Sequence, residues 1–476
     1  MLSTGILILN SMKCIRLFTL LLISIQAFSQ KYAIEKVSII PMDQGITLEN
    51  QTLLMENGKI IEIGSAAQIT IPNGFQIIDG KGKFLMPGLS DMHAHFFNEQ
   101  GEYKNTIEAE LKVMLANGLT MVRIMAGHPN YLQARQSVRE KRWLGPDLVV
   151  ASPQLVGRWP WDTTFRNYAV VDTPAKAEDA VRRFKKEGYD AIKITFMVDR
   201  PAFDAINKTA KEVGIKVVGH VGPKVKLPVA LAAGEQIDHM DEFIDTLLPD
   251  TSYNHGESVS DMNLWRMNAW NTVPYLDESK IPALSQMVKK SGIYVCPTNY
   301  FFISCFGASF TEDHYRSKPD FGYIPQAILP ERWRVMQLQR KMPIPPESIE
   351  KYVAIRKKLT KSLWEAEVPL MAGSDSPEWF LMTGFSIHDE LRTFVDAGLS
   401  PFAALQTATV HPADYLGLPQ KGRIKKGMDA DLVLLNQNPL ENIDHTKMIA
   451  GVFKNGQWFS RTALDEFLSE SKKVLE

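Results

Sequence analysis

Short apolar runs begin near Gly88, Thr120, Asp147, Ala191, Lys216, Gln236, Gly292 and Pro369, with amphipathic helical stretches between most of them, such as Pro174 to Gly188 and Pro201 to Gly214. A strand that feeds a helix returns the chain to a parallel neighbour, and eight such units in succession suit a (β/α)8 TIM barrel. A doubly wound open sheet is the alternative, but no glycine-rich phosphate-binding turn follows the first run. Two stretches, 243–279 and 301–348, exceed ordinary crossover length and read as lids or binding loops.

The flanks read differently. Ala33 to Ile40, Gln51 to Met55 and Lys59 to Ile63 are strand-like, with a hairpin signal at Asn57-Gly58. Asp431 to Leu435 and Met448 to Phe453 repeat the style, and Asn455-Gly456 turns the chain toward Trp458. The fold class is therefore α/β. Residues 30–86 and 419–476 form a small β-sandwich domain built from both chain ends, and residues 87–418 form the barrel.

Residues 1–29 belong to neither. Met12 to Arg16 is a short basic start, Leu17 to Ile25 is apolar, and Ala27-Phe-Ser29 places small residues where a signal peptidase cuts. The run is too short to remain in a bilayer, so a cleaved signal peptide starting at Met12 is expected. A buried first helix is the rival, set aside because Lys13 and Arg16 sit where export signals carry them. Cys14 precedes the apolar run and is no lipid-attachment site. No later apolar stretch is long enough to span a membrane, so an exported protein is expected, periplasmic or secreted, without stable membrane insertion. An oxidising compartment would permit a Cys296–Cys305 bond, though three cysteines make no disulfide framework. Across 476 residues, 53 Lys+Arg against 54 Asp+Glu exclude a nucleic-acid binder, which needs a basic excess. With 45% hydrophobic and 22% charged residues, wholesale disorder is excluded as well.

Four histidines end candidate strands. His93 and His95 close the first in Asp91-Met-His-Ala-His95, where alternation points residues i and i+2 to one face. His220 ends the fifth, His239 ends the sixth, and Asp375 follows the eighth. All five would meet at the C-terminal mouth, where barrels place their active sites. Imidazoles and a carboxylate around an open position suit a hydrolytic divalent metal, zinc first. Lys193 ends the fourth strand beside the same mouth. A metal repels a cationic amine, whereas an amine that adds carbon dioxide becomes an anionic carbamate able to bridge two ions. Taken singly, a His-x-His pair is more often incidental and a strand-end lysine more often an ion-pair partner; their joint placement favours the metal reading. Arg158, in Gly157-Arg-Trp-Pro-Trp161, is a candidate anchor for a substrate carboxylate, or a solvated loop residue. His388 is a candidate substrate contact, or a residue that orients a helix.

These pieces resemble the amidohydrolase superfamily, in the branch related to imidazolonepropionase and bacterial Xaa-Pro-type dipeptidases. The resemblance is carried by Met86 to His95, Gly118 to Arg123, Gly188 to Lys193, Gln236 to His239, Ala372 to Asp375 and Gly422 to Val433. It implies His93 and His95 on the more buried metal, His220 and His239 on the second, a carbamylated Lys193 between them, and Asp375 as carboxylate ligand. Lys193 favours the two-metal, dipeptidase-like side over the one-metal imidazolonepropionase. A hydroxide between two zinc ions would attack a carbonyl, with Asp375 as catalytic proton carrier. The expected activity is hydrolysis of amide or peptide-like C–N bonds in a small-molecule substrate such as a dipeptide or N-acyl amino acid. A lactonase or cyclic-amide hydrolase is the enzymatic rival, and a non-catalytic binding protein the other. A homo-oligomer stays open.

Overall fold

The computed structural model describes residues 30–97, 104–157, 168–195, 197–249 and 267–476. The expected signal peptide and Arg158 lie outside the described residues. The N-terminal strands are β1 (Lys31–Ile39), β2 (Leu48–Glu56), β3 (Lys59–Ser65), β4 (Gln76–Asp79) and β5 (Phe84–Pro87). The central ones are β6 (Leu89–Ala94), β7 (Leu119–Ile124), β8 (Asp147–Val150), β9 (Leu155–Val156), β10 (Ala169–Val170), β11 (Ala191–Ile194), β12 (Lys216–Gly219), β13 (Gln236–Asp238) and β14 (Val295–Cys296). The last three are β15 (Leu432–Leu435), β16 (Ile449–Lys454) and β17 (Gln457–Ser460).

Both chain ends enter one sheet in the order β17-β16-β15-β5-β1-β2-β3, with β4 beside β1. Its two tight hairpins turn on Asn57-Gly58 and Asn455-Gly456, and all four residues have the positive φ that a two-residue type I′ turn demands. The sheet then curls. Ile60 N donates to Met428 O at 2.9 Å and Ala430 N to Gly58 O at 2.8 Å, so β3 meets the segment that leads into β15. Ile34, Val37, Leu53, Leu85, Leu432 and Phe453 are buried together in its core. The sandwich expected from the sequence is thus one sheet bent back on itself. The helix Arg461–Leu475, grouped with it by sequence, packs on Lys104–Ala116, where Ser471 Oγ donates to Ala109 O at 3.0 Å.

The eight apolar runs pair in parallel. Ladders join β6 to β7 and β7 to β8, then β11 to β12, β12 to β13 and β13 to β14. Single parallel bridges, Ala151–Ala191 and Val295–Leu370, continue the series, and Ala94–Ser376 returns it to β6. Helices Pro174–Glu187 and Arg200–Val213 follow the sequence closely. Thr173 and Asp199 cap their first turns through side-chain oxygens, and Gly188 and Gly214 end them in the left-handed conformation.

The stretch 301–348 is not a loop. It runs through helices Asn299–Phe306, Glu312–Ser317 and Leu329–Arg340 into Pro346–Glu365. Trp379 Nε1 donates to Tyr315 OH at 2.8 Å and Lys318 Nζ to Asp389 at 2.9 Å, which pins this insertion over the chain that follows Asp375. Cys296 and Cys305 are both buried free thiols. No described helix is long and apolar enough to cross a membrane.

Candidate metal centre

Strand β6 is buried along its whole length, and its alternation brings the His93 and His95 rings to 5.4 Å between centroids. Asp375 reaches them from the neighbouring segment: its amide donates to His93 O at 2.7 Å, which fixes the register. Its Oδ1 then lies 3.3 Å from His93 Nε2 and 3.2 Å from His95 Nε2. Gly373 allows this approach, since a Cβ there would stand 2.6 Å from His93 Cβ and 2.4 Å from Cys296 Sγ. His239 sits 4.7 Å from the His93 ring and stacks on His220 at 4.3 Å, both centroid distances. Its Nδ1 is 2.6 Å from Thr298 Oγ1 and 3.9 Å from Asp375 Oδ2. His239 and Asp375 both hold left-handed backbone, φ 68° and 56°, a strain that side chains accept where a site fixes them.

Lys193 enters from β11 and is fully buried, its Nζ 3.3 Å from Asp238 Oδ2. The same oxygen lies 3.4 Å from His93 Nδ1. The structure therefore gathers His93, His95, His239 and Asp375 directly, His220 through His239, and Lys193 through Asp238. His388 is not among them. Its ring nitrogens meet Thr446 Oγ1 at 2.9 Å and Asn117 O at 3.2 Å. Asn117 precedes the start of β7, at the opposite end of the strands from His93 and His95. These two contacts tie helix Ser386–Asp396, which carries His388, to its neighbours.

Three buried groups escaped the sequence reading. Asp91 accepts from His93 N at 3.1 Å and Ser374 N at 3.0 Å, and burial pushes its carboxyl up to about 6. Asp238 and Arg123 form an ion pair at 2.9 Å with no exposed surface on either side chain. Position signalled Asp91, two residues before His93 on the same strand, whereas no spacing signalled Asp238.

Charge within the cluster suits ligation. Burial lowers His93 to about 4, against the pull of Asp375 and Asp238, and burial with His220 and His93 nearby holds His239 well below the usual imidazole range. Neutral imidazoles are the ligating form. Burial raises the Asp375 carboxyl, but His93, His95 and His239 outweigh it and hold it far below the usual carboxylate range. Donor spacing agrees: two ligand atoms each about 2.1 Å from a tetrahedral ion lie about 3.4 Å apart. The pairs meeting at Asp375 Oδ1 stand at 3.2 and 3.3 Å, and His93, His239 and Asp375 offer donors within 4.8 Å of one another. His93, Asp238 and Cys296 make a second close group, but Arg123 and Lys193 already engage its carboxylate.

The profile of the Amidohydrolase family matches residues 84–459, a span from β5 to β17 that contains every residue of the cluster. The chain belongs to this family. Among amidohydrolase structures, bottromycin amidohydrolase is 22% identical with a TM-score of 0.72, covering 94% of this chain and 91% of its own. A Xaa-Pro dipeptidase with bound methionine in its active site is 18% identical with a TM-score of 0.65, covering 90% and 100%. At such identities the likeness is one of fold. In sequence, dihydroorotase from Pelobacter propionicus is 37% identical over 92 residues, 19% of this chain and 21% of that protein. The chain spans about a fifth of the length of the curated relatives it first matches.

Proposed function

We propose that this chain is an exported, metal-dependent hydrolase of C–N bonds in small substrates, dipeptides or N-acyl amino acids first. What carries the reading is the meeting of His93, His95 and Asp375 at ligand spacing, with His239 and His220 stacked beside them. The ring of parallel segments is read as the (β/α)8 barrel of residues 87–418, with the site at its C-terminal mouth. His93 and His95 would hold one divalent ion, His220 and His239 the second, and Asp375 would complete the shell. Two such ions, zinc by preference, supply an acidified water and polarise the substrate carbonyl when bound. Lys193 Nζ, as a neutral amine, would form an N–C bond to carbon dioxide and release one proton to water, and the resulting carbamate would be an anionic ligand for the ions. Asp375 takes the proton of the attacking water and returns it to the leaving nitrogen as the C–N bond breaks. The 301–348 insertion, pinned over the chain that follows Asp375, would line the approach.

The test pairs elemental analysis with a substrate panel. Gently purified protein, with its export signal removed and bicarbonate present, should hold about two divalent ions per chain, as the paired histidine sets require. It should cleave dipeptides or N-acyl amino acids. Turnover confined to lactones or cyclic amides would move the assignment to the enzymatic rival. Less than one ion per chain and no turnover would leave a binding protein.

A further inference from the structure

We infer that Asp238 is a positioning residue that sets the proton of His93 and the direction of Lys193, with Arg123 as its anchor. The inference rests on the metal-centre reading and assigns a role to residues outside the ligand set. Asp238 divides its two oxygens. Oδ1 accepts from Arg123 Nη2 at 2.9 Å and Gln236 Nε2 at 3.1 Å, while Oδ2 faces His93 Nδ1 at 3.4 Å and Lys193 Nζ at 3.3 Å. The anchor cannot swing away. Arg123 Nε donates to Met92 O at 2.6 Å, Nη1 donates to Gln236 Oε1, and the side chain has no exposed surface.

Geometry at His93 decides what Oδ2 does. The ring presents Nε2 to Asp375 Oδ1 at 3.3 Å, so Nε2 is the nitrogen on the metal side and Nδ1 must carry the ring proton. Nδ1 makes no formed hydrogen bond here, and the carboxylate oxygen 3.4 Å away is the acceptor placed to take that proton, which would select the tautomer and strengthen Nε2 as a donor. At Lys193 a carbamylated nitrogen keeps a single N–H. Directed at Asp238 Oδ2, that N–H fixes the bond to the added carboxyl carbon and keeps the new anion turned from Asp238. An ion pair that only filled the interior commonly turns both carboxylate oxygens to the guanidinium. The second oxygen, shared by a histidine and a lysine of the cluster, distinguishes a positioning role.

Asp238→Asn alone leaves Arg123 buried without its counter-charge, so the double variant Asp238→Asn with Arg123→Met, which removes both charges, is made beside it. In each folded variant, zinc affinity by competition with a chromophoric chelator should fall about 10- to 100-fold, the usual effect of losing an outer-shell partner. Nitrogen-15 spectra of histidine-labelled protein, with His93 assigned against His93→Gln, should show Nδ1 protonated in the wild type and mixed tautomers in the variants. A folded variant with wild-type zinc affinity and an unchanged His93 tautomer overturns the role and leaves the functional reading standing. Wild-type protein with the His93 proton on Nε2 overturns the role without any variant. A wild type that takes up no zinc overturns the functional reading and this role with it.

Discussion

Lys193 is the side chain whose removal separates a metal bridge from a buried ion-pair partner. If its carbamate shares the ions, Lys193→Ala should lose at least one ion per chain and most turnover, and acetate or propionate should restore part of both by entering the vacated space. Elemental analysis and rates with and without the acid check this; unchanged metal content would assign the lysine to Asp238 alone, which it already meets at 3.3 Å. His93 and His95 were legible in the sequence because strand alternation sends both to one face. Asp238 was not, because a regular strand sends residues 238 and 239 to opposite faces. The positive φ of His239 breaks that alternation, so both neighbours reach the His93 ring, a turn that no spacing rule announces. His388 follows Asp375 closely in sequence, yet its ring nitrogens are taken up by Thr446 Oγ1 and Asn117 O rather than by the cluster.

Helices of the 301–348 insertion were hidden for a different reason. Asn299–Phe306 is buried on nearly all sides and Leu329–Arg340 buries only Leu329, Met336 and Gln339, so neither shows a one-faced apolar stripe. By contrast Pro174–Glu187 and Arg200–Val213 bury one face each, and their periods were plain. Beside its aromatic contacts, the insertion has an electrostatic tie: Asp389 receives Lys318 of the insertion at 2.9 Å and Lys447 at 2.8 Å. Burial alone would raise the Asp389 carboxyl, but the two lysines outweigh it and hold it at about 2, against an ordinary 3.8. A depressed carboxyl stabilises the fold above its ordinary value, and the contribution fades as pH falls from about 4 to about 2. The shift corresponds to about 2 kcal/mol, and partial exposure of the carboxylate trims this to about 1–2 kcal/mol. Asp389→Asn should therefore lose about that much stability at pH 7 in denaturant titrations, with the gap to wild type closing toward pH 2. A gap that stays constant across that range would remove the carboxylate from the account.

At the scale of the whole chain, the proposed ligands come from segments far apart in sequence: His93 in β6 and His95 just after it, Lys193 in β11, His220 and His239 just past β12 and β13, and Asp375 beside the bridge back to β6. An ion held by them ties those strands together, and the unfolded chain offers no such arrangement. Metal binding then adds to stability by mass action, about 2.7 kcal/mol when free zinc is a hundredfold above its dissociation constant. The curled sheet made by the two chain ends has its own core of Ile34, Leu53, Leu432 and Phe453, with no proposed ligand in it. Chelation should therefore lower the thermal midpoint by a few degrees and speed hydrogen exchange at the C-terminal ends of β6, β11, β12 and β13, while exchange in β1, β2 and β16 stays as it was. Zinc should reverse both effects. Equal loss of protection in the sheet and the ring would show that the ion stabilises the chain through one cooperative unit, and identical midpoints with chelator and with excess zinc would remove the ion from the structure's stability altogether.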